Sequence, residues 1–410
     1  MELAWSLWAL ARSLGAWALC GLFARAVYYN LTRTHLPPGI KQRNRVRWMT
    51  LLMNVLLALA LGIEKLGICS RYKIWRLVMN GIPPLGDSGL VIKDLRFDGV
   101  PVRMYQSKSR PSEKSRAIVY IPGGVGLLGS ISAYERVCRY IARESGFVVV
   151  SVGYRLAPEH LYPVPLLDCC TAVIHFLKHA ADYGVDPDHV TVGGDSSGGT
   201  FATAVCQRLT ARKDLPRIRA QALLYPFLQA VDFNLPSYQQ NCSIPPLFKK
   251  RAVKLGLMYL MGTSEHVGYL MKNAHMTRDL QAKYQKWISA DHIPDEFKAR
   301  GYVPAEPSPF CEALPPFCTK GLDPMFSPLL AEDETLRQLP EAFLLTCEYD
   351  VVRDDGLLYK KRLEDNGVPV TWCHVKDGFH GIAFFVDYGP FDLQISRSTL
   401  NHLIQFLEDL

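Results

Sequence analysis

Thr191-Val-Gly-Gly-Asp-Ser-Ser-Gly-Gly-Thr200 holds Gly194-Asp195-Ser196-Ser197-Gly198, a G-x-S-x-G pattern. A β-rich run, His189-Val-Thr-Val192, precedes it, and a helix-compatible run, Phe201-Ala-Thr-Ala-Val-Cys-Gln-Arg-Leu209, follows. Strand, sharp turn and helix are the setting of a nucleophile elbow, which projects a serine Oγ from the end of a sheet. The flanking glycines are required because a Cβ there would strike the neighbouring strand or helix. Composition alone produces such a match in roughly one chain in eight of this length, so the partners of Ser196 must decide the reading.

A nucleophilic serine needs a base to take its proton and a carboxylate to orient that base, in the chain order Ser, Asp, His for this kind of turn. Ala342-Phe-Leu-Leu-Thr-Cys347 reads as a buried strand, and Glu348-Tyr349-Asp350 follows it. Val370-Thr-Trp-Cys373 reads as the next strand, led by Pro369 and followed by Asp377-Gly378-Phe379-His380-Gly381. Leu357 to Asn366 suits a helix between them, closed by Gly367. Asp350 and His380 therefore fall at strand C-termini, the edge where open α/β sheets carry their sites. Asp354 and Asp355 read instead as charges at a helix N-terminus. His374 reads as part of the strand, and His160 and His189 as structural residues flanking elements.

Acyl transfer builds an oxyanion that preorganised N–H groups must receive. One donor is expected from Ser197, through its backbone N–H rather than its hydroxyl. The others are expected from Gly123, Gly124 and Val125, in the loop Pro122-Gly-Gly-Val-Gly126 after the strand Arg116–Ile121.

Four segments together resemble the hormone-sensitive-lipase-like α/β-hydrolases. Val119-Tyr-Ile-Pro-Gly-Gly-Val-Gly-Leu-Leu-Gly-Ser130 is similar to their H-G-G-G-W loop, and Gly153-Tyr-Arg-Leu-Ala-Pro-Glu-His160 with Tyr162-Pro163 to their D-Y-R-L-A-P-E-H-P-F-P segment. Asp350-Val-Val-Arg-Asp-Asp-Gly356 is similar to their acid loop and Gly378-Phe-His-Gly381 to their histidine loop. The resemblance runs from about residue 90 to the C-terminus. Within the family the chain is similar to the arylacetamide deacetylase-like proteins, a branch supported by Asp214–Gln221 and the hydrophobic N-terminus. It implies an α/β-hydrolase fold, a Ser196-Asp350-His380 triad and an acyl-enzyme route that needs no cofactor.

The chain departs from the family at two loop positions. Pro122 stands where the motif has His, and Val125 where it has its third Gly. Proline offers no side-chain hydrogen bond to hold the loop, and valine avoids positive φ.

Strands at about 90–96, 101–106, 116–121, 147–152, 189–193, 219–225, 342–347 and 369–373 predict a mostly parallel eight-stranded sheet. The expected organisation is an anchor or signal segment over residues 1–25, a membrane-proximal lid over 26–88, and a catalytic domain over 89–410. An insertion at about 229–325, including a helix from Phe248 to Met261, covers the site.

The 410 residues are 49% hydrophobic and carry a net charge of +7. No basic run with interleaved aromatics occurs, which argues against nucleic acid. Lys249-Lys250-Arg251 reads as a solvated surface cluster. No C-x-x-C or H-E-x-x-H suggests a metal. Eleven cysteines are scattered along the chain, and an oxidising lumen would allow a disulfide or two, with no pairing specified.

Leu3 to Ala24 is long enough to span a bilayer, with Arg12 a costly interior charge of about 3 kcal/mol. A cleaved signal ending at Ala24-Arg25-Ala26 and a hairpin returning through Trp48–Ile63 are the competing readings. Arg33, Lys41, Arg43, Arg45 and Arg47 weigh against sending the C-terminal side into a lumen. The resemblance favours a single anchor in the endoplasmic reticulum membrane with a lumenal catalytic domain. Of two sequons, Asn30-Leu-Thr32 and Asn241-Cys-Ser243, Asn241 is the expected glycosylation site. An apolar lid near a membrane points to a lipid ester or a small hydrophobic ester or amide. A binding or scaffolding role on an impaired hydrolase fold is the alternative, weakened by the presence of all three triad residues.

Overall fold

A computed structural model of the protein describes residues 2–108, 114–306 and 308–410. Eight strands, β1 (Leu90–Phe97), β2 (Val100–Ser107), β3 (Ser115–Ile121), β4 (Val148–Val152), β5 (Val185–Asp195), β6 (Ala220–Leu224), β7 (Glu341–Tyr349) and β8 (Val370–Phe379), form one sheet in the order β1-β2-β4-β3-β5-β6-β7-β8. β1 and β2 pair antiparallel, as do β2 and β4, and every later pair is parallel. The mostly parallel eight-stranded sheet expected from the sequence is present.

β4 and β6 are buried along their whole length: Val148-Val-Val-Ser-Val152 and Ala220–Leu224 have no exposed residue. Parallel strands with helices on both faces have no solvent side, so they read as unbroken apolar runs. Side chains still alternate between faces. Ala117, Val119 and Ile121 pack with Leu166, Phe176 and Phe201, whereas Ile118 and Tyr120 pack with Val137, Ile141, Leu400 and Leu403. The first core is covered by α5 (Val164–His179) and α6 (Ser197–Leu209), the second by α4 (Glu135–Ser145) and the C-terminal helix Gln394–Asp409.

The helix Arg353–Asp365 between β7 and β8 ends with Gly367 at φ 76°, and the N–H groups of Gly367 and Val368 donate to the carbonyls of Glu364 and Leu363. Such bonds satisfy carbonyls that a helix end leaves unpaired. β8 runs to Phe379, six residues past the predicted end, because it is an edge strand whose exposed positions include Thr371 and Lys376. His374 lies within it, bonded to Thr346 and Glu348.

Ahead of the sheet lie α1 (Glu2–Arg33), α2 (Arg43–Lys65) and α3 (Arg71–Asn80). The Arg12 side chain lies outside the described residues. α1 and α2 pack against each other, with Leu22 beside Gly62. The turn between them is seated on the catalytic body. Leu36, Ile40, Val46 and Met49 join the second core, and Lys41 pairs with Asp377 at 3.0 Å. α2 is long and apolar enough to cross a membrane by length and composition. It also turns Trp48, Leu52 and Leu61 outward, continued by Leu66, Ile68, Leu77, Ile82 and Leu85.

Between β6 and β7 the chain leaves the sheet and returns, carrying the helix Lys249–Met261. Asp354 and Asp355 sit in the first helical turn, as expected, but are fully buried rather than solvated charges. They fasten this insertion: Asp354 accepts from Ser237 N–H (2.6 Å) and Asp355 from Leu228 N–H (2.9 Å). Buried Arg353 binds Asp354, Glu348, Gln240 and the Phe297 carbonyl. The basic cluster is not the solvated face its composition suggests. Lys249 is buried, with its Nζ 2.8 Å from Asn234 Oδ1, and Arg251 donates to the Pro246 carbonyl. The eleven cysteines are all unpaired.

Candidate active site

The elbow follows from packing that admits no side chain. A Cβ on Gly194 would lie 2.4 Å from the Ile121 carbonyl oxygen, and one on Gly198 only 2.0 Å from it. Ser196 sits between them at φ 53°, ψ −123°, a strained conformation for a residue with a Cβ. Its N–H is bonded to the Leu224 carbonyl on β6, which pins the turn to the sheet.

The structure brings Ser196, His380 and Asp350 together from three segments of chain. His380 Nε2 is 2.8 Å from Ser196 Oγ, and His380 Nδ1 is 2.8 Å from Asp350 Oδ2. Asp350 is fully buried, and its Oδ1 accepts the Val352 N–H at 3.0 Å. The arrangement leaves Nε2 facing the hydroxyl, as a general base requires.

Asn241 has a different place from the one expected. It is fully buried, and its Nδ2 donates to the carbonyls of Asp350 (2.7 Å) and Glu348 (3.1 Å). Arg300 donates to its Oδ1 and to Glu348. The nitrogen that a glycan would occupy is thus engaged inside the protein. Asn241 holds the acid loop to the insertion. Asn30, in the other sequon, is buried as well.

The four expected oxyanion donors separate into two groups. The Gly123 N–H donates to Asp195 Oδ1 (3.0 Å), so it supports the loop and does not face a substrate. The Val125 N–H donates to Ser197 Oγ at 2.6 Å, so it is the Ser197 side chain that this loop position engages. Among the described residues, the N–H groups of Gly124 and Ser197 have no acceptor. Val125 stands at φ 58°, a conformation that suits glycine and strains a β-branched residue. The loop has kept the glycine backbone and tolerates the side chain.

A family model described as the α/β hydrolase fold matches residues 118–281 and 310–384. Human arylacetamide deacetylase-like 4 is 42% identical over 95% of this chain and 96% of its own length. Mouse neutral cholesterol ester hydrolase 1 is 38% identical over 77% of this chain and 79% of its own. The chain belongs to the arylacetamide deacetylase-like branch of the α/β-hydrolases. A carboxyl esterase from the fungus Tuber melanosporum shares the fold, with a TM-score of 0.61 and 21% identity over 80% of this chain and 89% of its own.

Within this family fold, the loop is held by groups that the motif reading passed over. Tyr154 Oη donates to the Pro122 carbonyl (2.6 Å) and approaches that of Gly123 (3.2 Å), so a tyrosine holds the loop where proline cannot. Tyr154 lies inside the Gly153–His160 segment, which was the available signal. Asp195 accepts from Tyr134 Oη (2.8 Å) and Tyr120 Oη (3.1 Å) as well as from Gly123. Burial raises its carboxyl to about 6, against the lowering effect of those three donors. Phe227 donates its N–H to the Ser196 carbonyl, and Phe326, Tyr259 and Tyr162 continue an aromatic cluster from it. Among the described residues no cluster of three or more His, Cys, Asp or Glu could hold a metal.

Proposed function

We propose that the protein is a membrane-anchored serine hydrolase that cleaves carboxylic esters of apolar or lipid substrates through Ser196, His380 and Asp350. The class, carboxylic ester hydrolase, is that of its family. The observation that carries the residue assignment is the unbroken chain of two 2.8 Å contacts from Ser196 Oγ through His380 to Asp350.

His380 Nε2 takes the proton of Ser196 as Oγ adds to the carbonyl carbon. Asp350 holds the imidazole tautomer and stabilises the imidazolium. The N–H groups of Gly124 and Ser197 receive the oxyanion, each such donor contributing about 3–4 kcal/mol. His380 then protonates the leaving alcohol, and water attacks the acyl-enzyme by the same steps in reverse. The aromatic cluster from Phe227 to Tyr162 beside the nucleophile favours an apolar acyl or alcohol group. Neutral cholesterol ester hydrolase 1 and the arylacetamide deacetylases among the relatives bracket the substrate range as lipid esters and small aromatic amides.

The apolar N-terminal helices support a location at the endoplasmic reticulum membrane. α1 crosses once, with the catalytic domain in the lumen, and the outward Trp48, Leu52 and Leu61 of α2 rest on lipid. Protease protection of a C-terminal tag in sealed microsomes tests that topology, because a digested tag contradicts it.

The assay for the chemistry is covalent labelling by a fluorophosphonate probe, with an acyl-chain-length series of esters beside it. Wild type should label and Ser196→Ala should not. A folded wild type that fails to label would sink the assignment.

A further inference from the structure

We propose that the Ser197 hydroxyl is itself an oxyanion donor, presenting its O–H to the reacting carbonyl oxygen while it accepts the Val125 N–H. The proposal rests on the serine-hydrolase reading above. Gly123 is committed to Asp195 at 3.0 Å and Val125 to Ser197 Oγ at 2.6 Å, so of the three loop donors expected from the sequence only Gly124 is left to face a substrate directly.

A serine hydroxyl has one proton and two lone pairs. Here one lone pair takes the Val125 N–H, and the proton has no acceptor among the described residues. Ser197 is buried, only 7% exposed, beside the likewise buried nucleophile. The proton sits on the residue next to the nucleophile, at the start of α6, where the N-terminal helix dipole also favours negative charge. A buried hydroxyl pinned by one short hydrogen bond is a preorganised donor, the property that makes such groups effective for developing charge. The Val125 N–H polarises the hydroxyl and strengthens the bond it donates. The strained φ of Val125 is then the backbone conformation that aims this N–H at Ser197 rather than at the substrate.

In the step itself, Ser196 Oγ bonds to the carbonyl carbon, its proton passes to His380 Nε2, and the C=O π pair moves to oxygen. Ser197 transfers no proton. It contributes a hydrogen bond that strengthens as the oxygen becomes negative, beside those from the N–H groups of Gly124 and Ser197.

The test uses the full-length protein, a short-chain p-nitrophenyl ester and an alkyl trifluoromethyl ketone that forms a tetrahedral adduct with the nucleophile. Ser197→Ala should lower kcat about 100-fold with KM little changed. Affinity for the trifluoromethyl ketone should fall by a similar factor, while the melting temperature holds. Ser197→Cys, close in size but a weak donor, should also lose kcat, and Ser197→Thr, which restores a hydroxyl, should recover part of it. Ser197→Ala or Ser197→Cys with kcat and ketone affinity at or above wild type overturns the assignment, because the hydroxyl would then only occupy the Val125 N–H. Wild type that neither turns over nor labels overturns the hydrolase reading and this one with it. Wild type with Ser196-dependent turnover that is indifferent to position 197 overturns this one alone.

Discussion

Replacing Asp195 by asparagine should raise the stability of the protein at neutral pH. The opposite is intuitive, since the carboxylate accepts hydrogen bonds from Tyr134, Tyr120 and Gly123. Burial outweighs those bonds and moves the carboxyl from 3.8 to about 6. That displacement corresponds to about 3 kcal/mol, by which the ionised form is disfavoured in the folded chain relative to the unfolded one. Between these two values the folded chain binds the proton that the unfolded chain has released. The favourable contribution is therefore complete below about pH 4, declines as pH rises through 6, and is absent above it. Asparagine is neutral throughout and fits the same donors. Its carbonyl can replace Oδ1, which accepts from Gly123 and Tyr120, and its amide can donate to Tyr134 once that hydroxyl turns.

With an unfolding entropy of about 2.1 cal/mol/K per residue over 410 residues, 3 kcal/mol is about 3–4 °C. Thermal melts of wild type and Asp195→Asn, followed by tryptophan fluorescence from pH 4 to 7.5, read the difference. The variant should melt higher at pH 7.5, and the gap should close toward pH 4. A variant that melts lower at pH 7.5, or a gap that does not vary with pH, would show that the hydrogen bonds outweigh the burial of the charge.

Asn241→Ala removes the amide that donates to the Glu348 and Asp350 carbonyls, so it should cost about 2 kcal/mol of stability and lower kcat. Endoglycosidase treatment of wild type should reveal no glycan at Asn241. Gly198→Ala puts a Cβ 2.0 Å from the Ile121 carbonyl oxygen and 2.9 Å from the Pro122 carbonyl carbon, both backbone atoms. It should abolish fluorophosphonate labelling, and labelling at the wild-type rate would refute the packing account of the elbow.

What the sequence discloses here depends on the range of the interaction. The strand Val148–Val152 is legible because a parallel strand buried on both faces must be apolar at every position. Ser196 and Asp350 can be singled out because each follows such a run, and His380 because it follows the adjoining edge strand; strand ends converge at one edge of the sheet. β8 is legible only to Cys373, because an edge strand can carry polar residues along its exposed positions. The misplaced residues fail for a common physical reason. Asn241 and Lys249 are polar residues in polar stretches, and their burial depends on acceptors that the local pattern does not contain. The acceptors of Asn241 lie 107 and 109 residues away.

The oxyanion loop shows the same limit within one motif. Spacing identifies Gly123, Gly124, Val125 and Ser197 as neighbours of the reaction, but it does not show where an N–H points. Direction is set by Asp195, which draws Gly123 inward, and by the positive φ of Val125, which directs its N–H to the Ser197 hydroxyl. Valine at a glycine position and serine after the nucleophile are separate oddities in the sequence. In the fold they become one contact, because the strained residue supplies the donor that the second serine accepts.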